Sequence, residues 1–319
     1  MAQATAGKAG STTKKESGFQ VFCRAMKQTK YLHLMILPGI LWYIIFQYAP
    51  MYGVQIAFKN FKFGLGITGS QWVGLKNFAR FLNHPYCLRL IRNTFLISFY
   101  SMLFSFPAPI AFALLLNEVR AQKFKKFVQT VSYLPNFIST VAVIGMVTMI
   151  LSPSTGFVNN IIKAFGGQPI YFMMEPRWFR TIYIASGIWQ GTGWSAIIYL
   201  AALSSINPEL YEAATIDGAG RFRQMLAITL PGIRDTIVVL FILNLGSLLS
   251  VGSEKIILMY NSMTKDVADV ISSFVYRVGL IDSDYSYSTA VGLLNSLVNM
   301  VFLFGGNALT RKFADFSMW

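Results

Sequence analysis

Six stretches of this chain stay apolar for the length needed to cross a lipid bilayer: roughly 32–52, 94–117, 128–151, 181–203, 236–251 and 288–309, the fifth open to extension as far as 260. About 20 residues of helix cover the ~30 Å of hydrocarbon in a bilayer. In that medium no water satisfies the backbone, so each run has to be helical. The expected fold class is therefore an all-α membrane protein with six transmembrane helices. Composition agrees, because only 13% of the 319 residues are charged where soluble domains carry about 25%. The net charge of +14 would suggest nucleic acid in a soluble chain. In a membrane chain it reads as basic loops facing anionic headgroups, and no nucleic-acid partner is expected.

Orientation follows from the cations. The short connection EVRAQKFKKF between the second and third runs has four Lys or Arg in ten residues, and short loops follow the positive-inside rule most faithfully. This places both termini in the cytoplasm. The expected organisation is a polar, basic tail over 1–30, a six-helix transmembrane domain over 31–310 with a large cytoplasmic loop at 204–234, and a short cytoplasmic tail at 311–319. The first apolar run lacks a small-residue cleavage site and reads as a retained span, not a leader. Cys23 and Cys87 fall on opposite sides, so they do not pair, and no zinc spacing is present. The cations Lys59, Lys62, Lys76, Arg80, Arg89 and Arg92 of the first outer segment have no acid beside them in sequence. With its spaced aromatics, the segment suits a docking surface for an extracytoplasmic partner, attraction of an anionic solute, or an interfacial position with rings at headgroup level and cations on phosphates.

The most patterned polar stretch is EAATIDGAGRFRQMLAITLPG, residues 212–232. Asn207 is a good N-cap, Pro208 suits the first helical position and Glu209 suits the positive helix end. A short helix should run to the Gly218/Gly220 turn. A second, about 221–229, should stop before Pro231, which disfavours helical geometry at Leu230. Small Ala213 and Ala214 allow close approach, and Glu212 and Asp217 can pair with a partner's cations. A knob for a socket and an amphipathic connector lying on the membrane fit these residues equally.

The spacing Glu212-Ala213-Ala214, Gly218, Ile228, Leu230-Pro231 resembles the signature loop of permease subunits of binding-protein-dependent ABC importers, and matches it at every fixed position. WVGLKNFARF (72–81) and IIYLAALSSINPELYEAATIDGA (197–219) are similar to the sugar-importer branch. The run from ILMYNSMTKDVADVISSFVYRVGL to YSYSTAVGLLNSLVN is similar to a narrower group, permeases for complex and acidic polysaccharide fragments. Met259-Tyr260-Asn261-Ser262 departs from the Gly-Gly-Pro turn of maltose-type permeases. The resemblance implies the type I importer fold. It implies that Glu212, Ala213, Ala214, Asp217, Gly218, Leu230 and Pro231 couple the chain to a dimer of cytoplasmic ABC ATPases. It also implies a second, homologous permease subunit, an extracytoplasmic solute-binding protein, an oligosaccharide substrate and a bacterial cytoplasmic membrane. The chain itself has no G-x-x-x-x-G-K-[ST] loop, so ATP and its Mg2+ would be held by the partner and no cofactor is expected here.

Polar groups inside spans are costly in lipid and mark either packing or a pathway. Trp189, Gln190 and Trp194 in the fourth run, Asn244 and Ser247 with Ser250 in the fifth, and Asn295 and Asn299 in the sixth are the candidate substrate path: a ring to stack on a pyranose and amides to meet hydroxyls. Gly187, Gly191 and Ser195 recur every four residues as a close-packing face. Pro107 and Pro109 imply a kink or break in the second span, and Pro38 and Pro135 could act alike. With two histidines and no intramembrane carboxylate apart from Glu254 near a span end, enzymatic catalysis is not expected. An ion-coupled carrier would bury a charged residue at mid-span, which these runs lack. Importers of peptides, amino acids or oxyanions are the alternative cargo classes.

Overall fold

The computed structural model describes residues 29–314. The expectations for most of the 1–30 tail, for Cys23 and for 315–319 lie outside the described residues. The chain forms two compact units, one ending at Gln55 and one starting at Ile56. The first is a helix, α1 (Lys30–Tyr43), which continues through a π turn (Ile44–Tyr48) and Ala49–Met51 into a tighter stretch, Tyr52–Phe58. No residue of Lys30–Met51 is buried. An apolar helix with no buried face belongs in hydrocarbon rather than water.

The second unit starts with the last residues of that tighter stretch, 56–58, and then forms a two-stranded antiparallel ribbon, β1 (Lys59–Asn60) and β2 (Gln71–Trp72), with Lys59 opposite Trp72. A short helix, α2 (Lys76–Leu82), follows. Then α3 (Cys87–Ser105) and α4 (Pro107–Asn117) together make a 31-residue apolar span. The expected break at Pro107 and Pro109 is confined to Phe106, which keeps helical angles (φ −73°, ψ −46°). Both prolines fall in the first turn of α4, where a missing N–H costs least.

The third expected span is not one helix. It divides into α5 (Gln122–Tyr133) and α6 (Thr140–Ile150), bent by 105°. Pro135 lies in the tight turn between them, and Ser139 starts a new helix by accepting the Ala142 N–H at 3.3 Å. The central element is α7 (Pro176–Ser204), 29 residues and so about 44 Å long. It packs on α3, α4 and α5, burying Phe179, Ile182, Ala196, Tyr199 and Leu203. Two short helices, α8 (Pro208–Ile216) and α9 (Arg221–Gln224), lead to α10 (Arg234–Gly246).

The fifth span also ends earlier than expected. Helix stops at Gly246, residues 247–252 are unwound, and α11 (Ser253–Met259) follows. The unwound backbone is held by the last helix, α12 (Tyr285–Ala314). Asn299 Oδ1 accepts the Leu249 N–H at 2.8 Å, its Nδ2 donates to Ser250 Oγ at 3.1 Å, and Asn295 Nδ2 donates to Leu249 O at 3.3 Å. Those bonds replace the helical ones that residues 249–250 give up. α10 and α12 pack closely because a Cβ on Gly246 would lie 2.7 Å from Leu303 and one on Gly306 would lie 2.4 Å from Leu245.

Among the described residues, three helices qualify as membrane spans by length and apolarity (Lys30–Phe58, Cys87–Asn117, Tyr285–Ala308), or up to five if each bent pair is one span. α7 is long enough, but Ser186, Gly187, Gln190, Gly191, Thr192, Gly193 and Ser195 dilute its apolar character.

A two-helix elbow and an uncharged cleft

The connection after α7 folds by local rules. Asn207 Oδ1 accepts the Glu209 N–H at 3.1 Å and starts α8, with Pro208 in the first turn. The helix ends at Gly218, whose φ of +77° suits glycine and strains other residues. The Gly218 N–H donates to Thr215 O at 3.1 Å and the Ala219 N–H to Ala214 O at 2.9 Å. This paired pattern is the Schellman ending, with glycine at its left-handed position. Gly220 is extended (φ −67°, ψ 162°), so only Gly218 requires a glycine's freedom.

Side chains then staple the two arms. Gln224 Nε2 donates to Ala219 O at 2.9 Å and to Thr215 Oγ1 at 3.0 Å, and the Tyr211 and Thr229 hydroxyls lie 3.0 Å apart. The second arm does not stop before Pro231. It runs through a π turn, Met225–Thr229, into Leu230–Gly232, and bends by 60° only at Ile233. Leu230 keeps helical angles (φ −67°, ψ −44°). In the wider π turn the proline ring escapes the carbonyl it would strike in an α-helix. The π turn ahead of Pro50 in the first unit uses the same device.

Glu212, Ala213, Asp217, Gly218 and Pro231 are exposed, and Ala214 and Leu230 are half-buried. Neither Glu212 nor Asp217 has an ion-pair partner among the described residues. Sequence reasoning missed Ile216 and Phe222, which flank the turn at 87% and 70% exposure. The signal was available as an aliphatic and an aromatic residue set immediately outside the glycines.

Helices α3, α4, α7 and α10 and the unwound 247–252 segment line a cleft of about 710 Å³ with no charged residue in its lining. Trp194, Asn244 and Ser247 line it, joined by Gly187, Gly191 and Ser195. These last three are not the close-packing face expected of them. A Cβ on Gly191 would meet nothing within 4 Å. The packing glycine is Gly193, where a Cβ would lie 2.1 Å from the Ser132 carbonyl oxygen on α5. Sequence reasoning also missed the stripe Ser98, Ser101, Ser105 of α3, which lines the cleft and is legible from its helical spacing. The hydroxyls of Ser98 and Thr192 are buried there without a hydrogen-bond partner among the described residues.

The other candidates lie elsewhere. Trp189 borders a separate apolar pocket with Met146 and Trp178. Gln190 Nε2 donates to Ile138 O at 3.0 Å, bridging the break between α5 and α6. Asn295 and Asn299 hold residues 249–250, as described above.

At the far end of α7 from the elbow, Arg80 pairs with Asp284 at 2.6 Å and Arg89 pairs with Asp266. Two of the cations without acids nearby in sequence are therefore compensated from a distant segment. Arg277 Nη2 reaches the buried Asp269 at 2.8 Å, which also accepts from Ser273 Oγ at 2.7 Å. Burial, with Arg80 nearby, holds the His84 imidazole below its ordinary pKa of 6.5. Of the aromatics, Phe78 and Phe81 are buried, while Phe63 and Trp72 stay exposed.

Comparison with known proteins places these features in context. The family described as "Binding-protein-dependent transport system inner membrane component" matches residues 105–315. The polygalacturonan/rhamnogalacturonan transport system permease protein YteP of Bacillus subtilis is 45% identical over 95% of this chain and 94% of its own length. Protein LplB of the same organism is 45% identical over 91% of each chain. A crystal structure of a bacterial ABC transporter involved in the import of the acidic polysaccharide alginate contains a chain 44% identical in sequence. It aligns with a TM-score of 0.84 over 92% of this chain and 99% of that one. A family match over most of the chain and near-full-length relatives of this identity lead to one conclusion: the chain belongs to the inner-membrane components of binding-protein-dependent transport systems.

Proposed function

We propose that this chain is the permease subunit of an ATP-driven importer in a bacterial cytoplasmic membrane, and that it passes oligosaccharides, including acidic polysaccharide fragments, inward through the cleft. It is a transport component and not an enzyme. The observation that carries the reading is the elbow: a capped, stapled two-helix knob whose exposed Glu212 and Asp217 have no ion-pair partner among the described residues, on a chain without a nucleotide loop. Energy then has to arrive through a contact, and Glu212, Ala213, Ala214, Asp217, Gly218, Leu230 and Pro231 form that contact with a cytoplasmic ATPase, helped by Ile216 and Phe222. ATP and Mg2+ bind to the ATPase pair, and this chain needs no cofactor of its own.

In this reading the chain crosses the membrane six times with both termini in the cytoplasm. α7 is the remaining span, tolerated despite its polar residues because it is sheathed by α3, α4 and α5. The domain limits follow as 1–30, 31–310 and 311–319. One cleft open on its side is half a pathway, so a second, homologous permease completes it, and an extracytoplasmic binding protein delivers the solute. That relatives carry polygalacturonan, rhamnogalacturonan and alginate in their descriptions supports the saccharide class, and a related structure holds an alginate pentasaccharide-bound periplasmic protein. Trp194, Asn244 and Ser247, with the α3 serines, meet the solute; Trp189, Gln190, Asn295 and Asn299 shape the walls from outside the cleft.

Purification of the tagged chain from native membranes tests this. The second permease and the ATPases should copurify, with ATPase activity stimulated by loaded binding protein. A transport-competent complex holding only copies of this chain would contradict it.

A further inference from the structure

The cleft lining is uncharged, yet a cation stands at its far end. Lys255, on α11 directly after the unwound segment, points its ammonium back toward α7. Its Nζ donates to Tyr183 O at 2.8 Å and lies 4.6 Å from the centre of the Tyr183 ring. A Cβ on Gly187 would come within 3.3 Å of it, so the glycine leaves the space that the ammonium occupies. Tyr183 and Gly187 both line the cleft. Lys255 is half-buried, and no carboxylate lies within 4.0 Å of it among the described residues.

One turn farther along α7, Arg180 Nη2 donates to Asn93 Oδ1 at 3.1 Å, bridging to α3. It too lacks a carboxylate partner among the described residues. The cations Arg80, Arg89 and Arg277 nearby are each paired with an aspartate. A half-buried cation kept without a carboxylate partner is costly, and such a charge is retained where it serves a ligand or a path. Hydroxyl and amide groups in the cleft can meet neutral sugars, whereas an unpaired ammonium discriminates by charge.

We infer that Lys255, with Arg180 one turn beyond it, is the carboxylate-reading element at the entrance of the cleft and selects oligosaccharides that carry uronate groups over neutral ones. The inference rests on the transport reading above and specifies its substrate charge. A carboxylate arriving at Lys255 takes up donors that the single bond to Tyr183 leaves open.

The test uses the intact importer complex in proteoliposomes, with its binding protein saturated. The probes are a short uronate oligosaccharide and the same oligomer with its carboxyl groups reduced to hydroxymethyl groups. Lys255→Met should lower the ratio of acidic to reduced uptake by about tenfold or more relative to the wild type, since truncating one partner of a desolvated charge contact costs at least one decade. Lys255→Arg should restore most of the ratio. Equal loss on both probes, or no change on either, overturns the inference. If Lys255→Met does not assemble, Arg180→Gln reads the same ratio, and an unchanged value there also overturns it. A wild-type complex that transports neither oligomer would instead refute the saccharide reading itself.

Discussion

Gly218 offers the most informative perturbation, because its role separates conformation from contact. A Cβ at this position would meet nothing within 4 Å, so a side chain costs no steric clash inside the chain. The φ of +77° is the whole penalty: roughly 1 kcal/mol for alanine and about 2 kcal/mol for a β-branched valine. That is small against the stability of a helical membrane domain, so insertion and expression should be unchanged. It is large for the elbow, whose Schellman bonds to Thr215 and Ala214 depend on that angle. If only the intact elbow transmits force, uptake should fall by about fivefold for Gly218→Ala and about thirtyfold for Gly218→Val. Asparagine tolerates the left-handed region, so Gly218→Asn should stay within about twofold of the wild type. ATP-driven uptake into vesicles, normalised to protein in the membrane, gives the ranking. Full activity in the valine variant would refute the elbow's role. Asparagine failing as badly as valine would show that a bare backbone is needed for contact and not for conformation.

Other outcomes follow from single contacts. Asn299→Ala leaves the buried Leu249 N–H without its acceptor and should cost about 1–3 kcal/mol, visible as a lower Tm in detergent, with Asn295→Ala affecting it less. Gly193→Ala drives a Cβ against the Ser132 carbonyl and should lower Tm more than Gly191→Ala, which meets open space. His84 is held below pKa 6.5 in the folded chain, so the unfolded chain binds more protons as pH falls past 6.5. His84 therefore contributes most above that pH and destabilises the fold below it. Subtracting the Tm-against-pH curve of His84→Gln from that of the wild type should isolate this dependence.

The long apolar runs and the elbow were legible because both are governed by local physics. Hydrocarbon forces helix on any run of sufficient length, and Asn207, Pro208 and Gly218 act within a few residues of themselves. The misread features depend on distant partners. Helix α10 ends at Gly246 because Asn299, about fifty residues away, offers Leu249 a substitute bond. The break before α6 is held by Gln190 from α7. Pro231 predicts a stop, and the helix runs on because of a π turn, which has no sequence signature comparable to a cap. Lys255 went unnoticed since its significance lies in Gly187, which makes room for it. The charge compensation of Arg80 and Arg89 comes from Asp284 and Asp266, well beyond any sequence window.

The central claim is that this chain borrows ATP energy through the elbow to move saccharide. The most direct measurement is uptake of labelled uronate oligosaccharide by the reconstituted complex, with and without ATP, in the wild type and in Glu212→Lys. The account predicts ATP-dependent uptake that is lost in the variant while its helices insert and its subunits still fold. Uptake that survives Glu212→Lys, or that proceeds on an ion gradient without ATP, would contradict it.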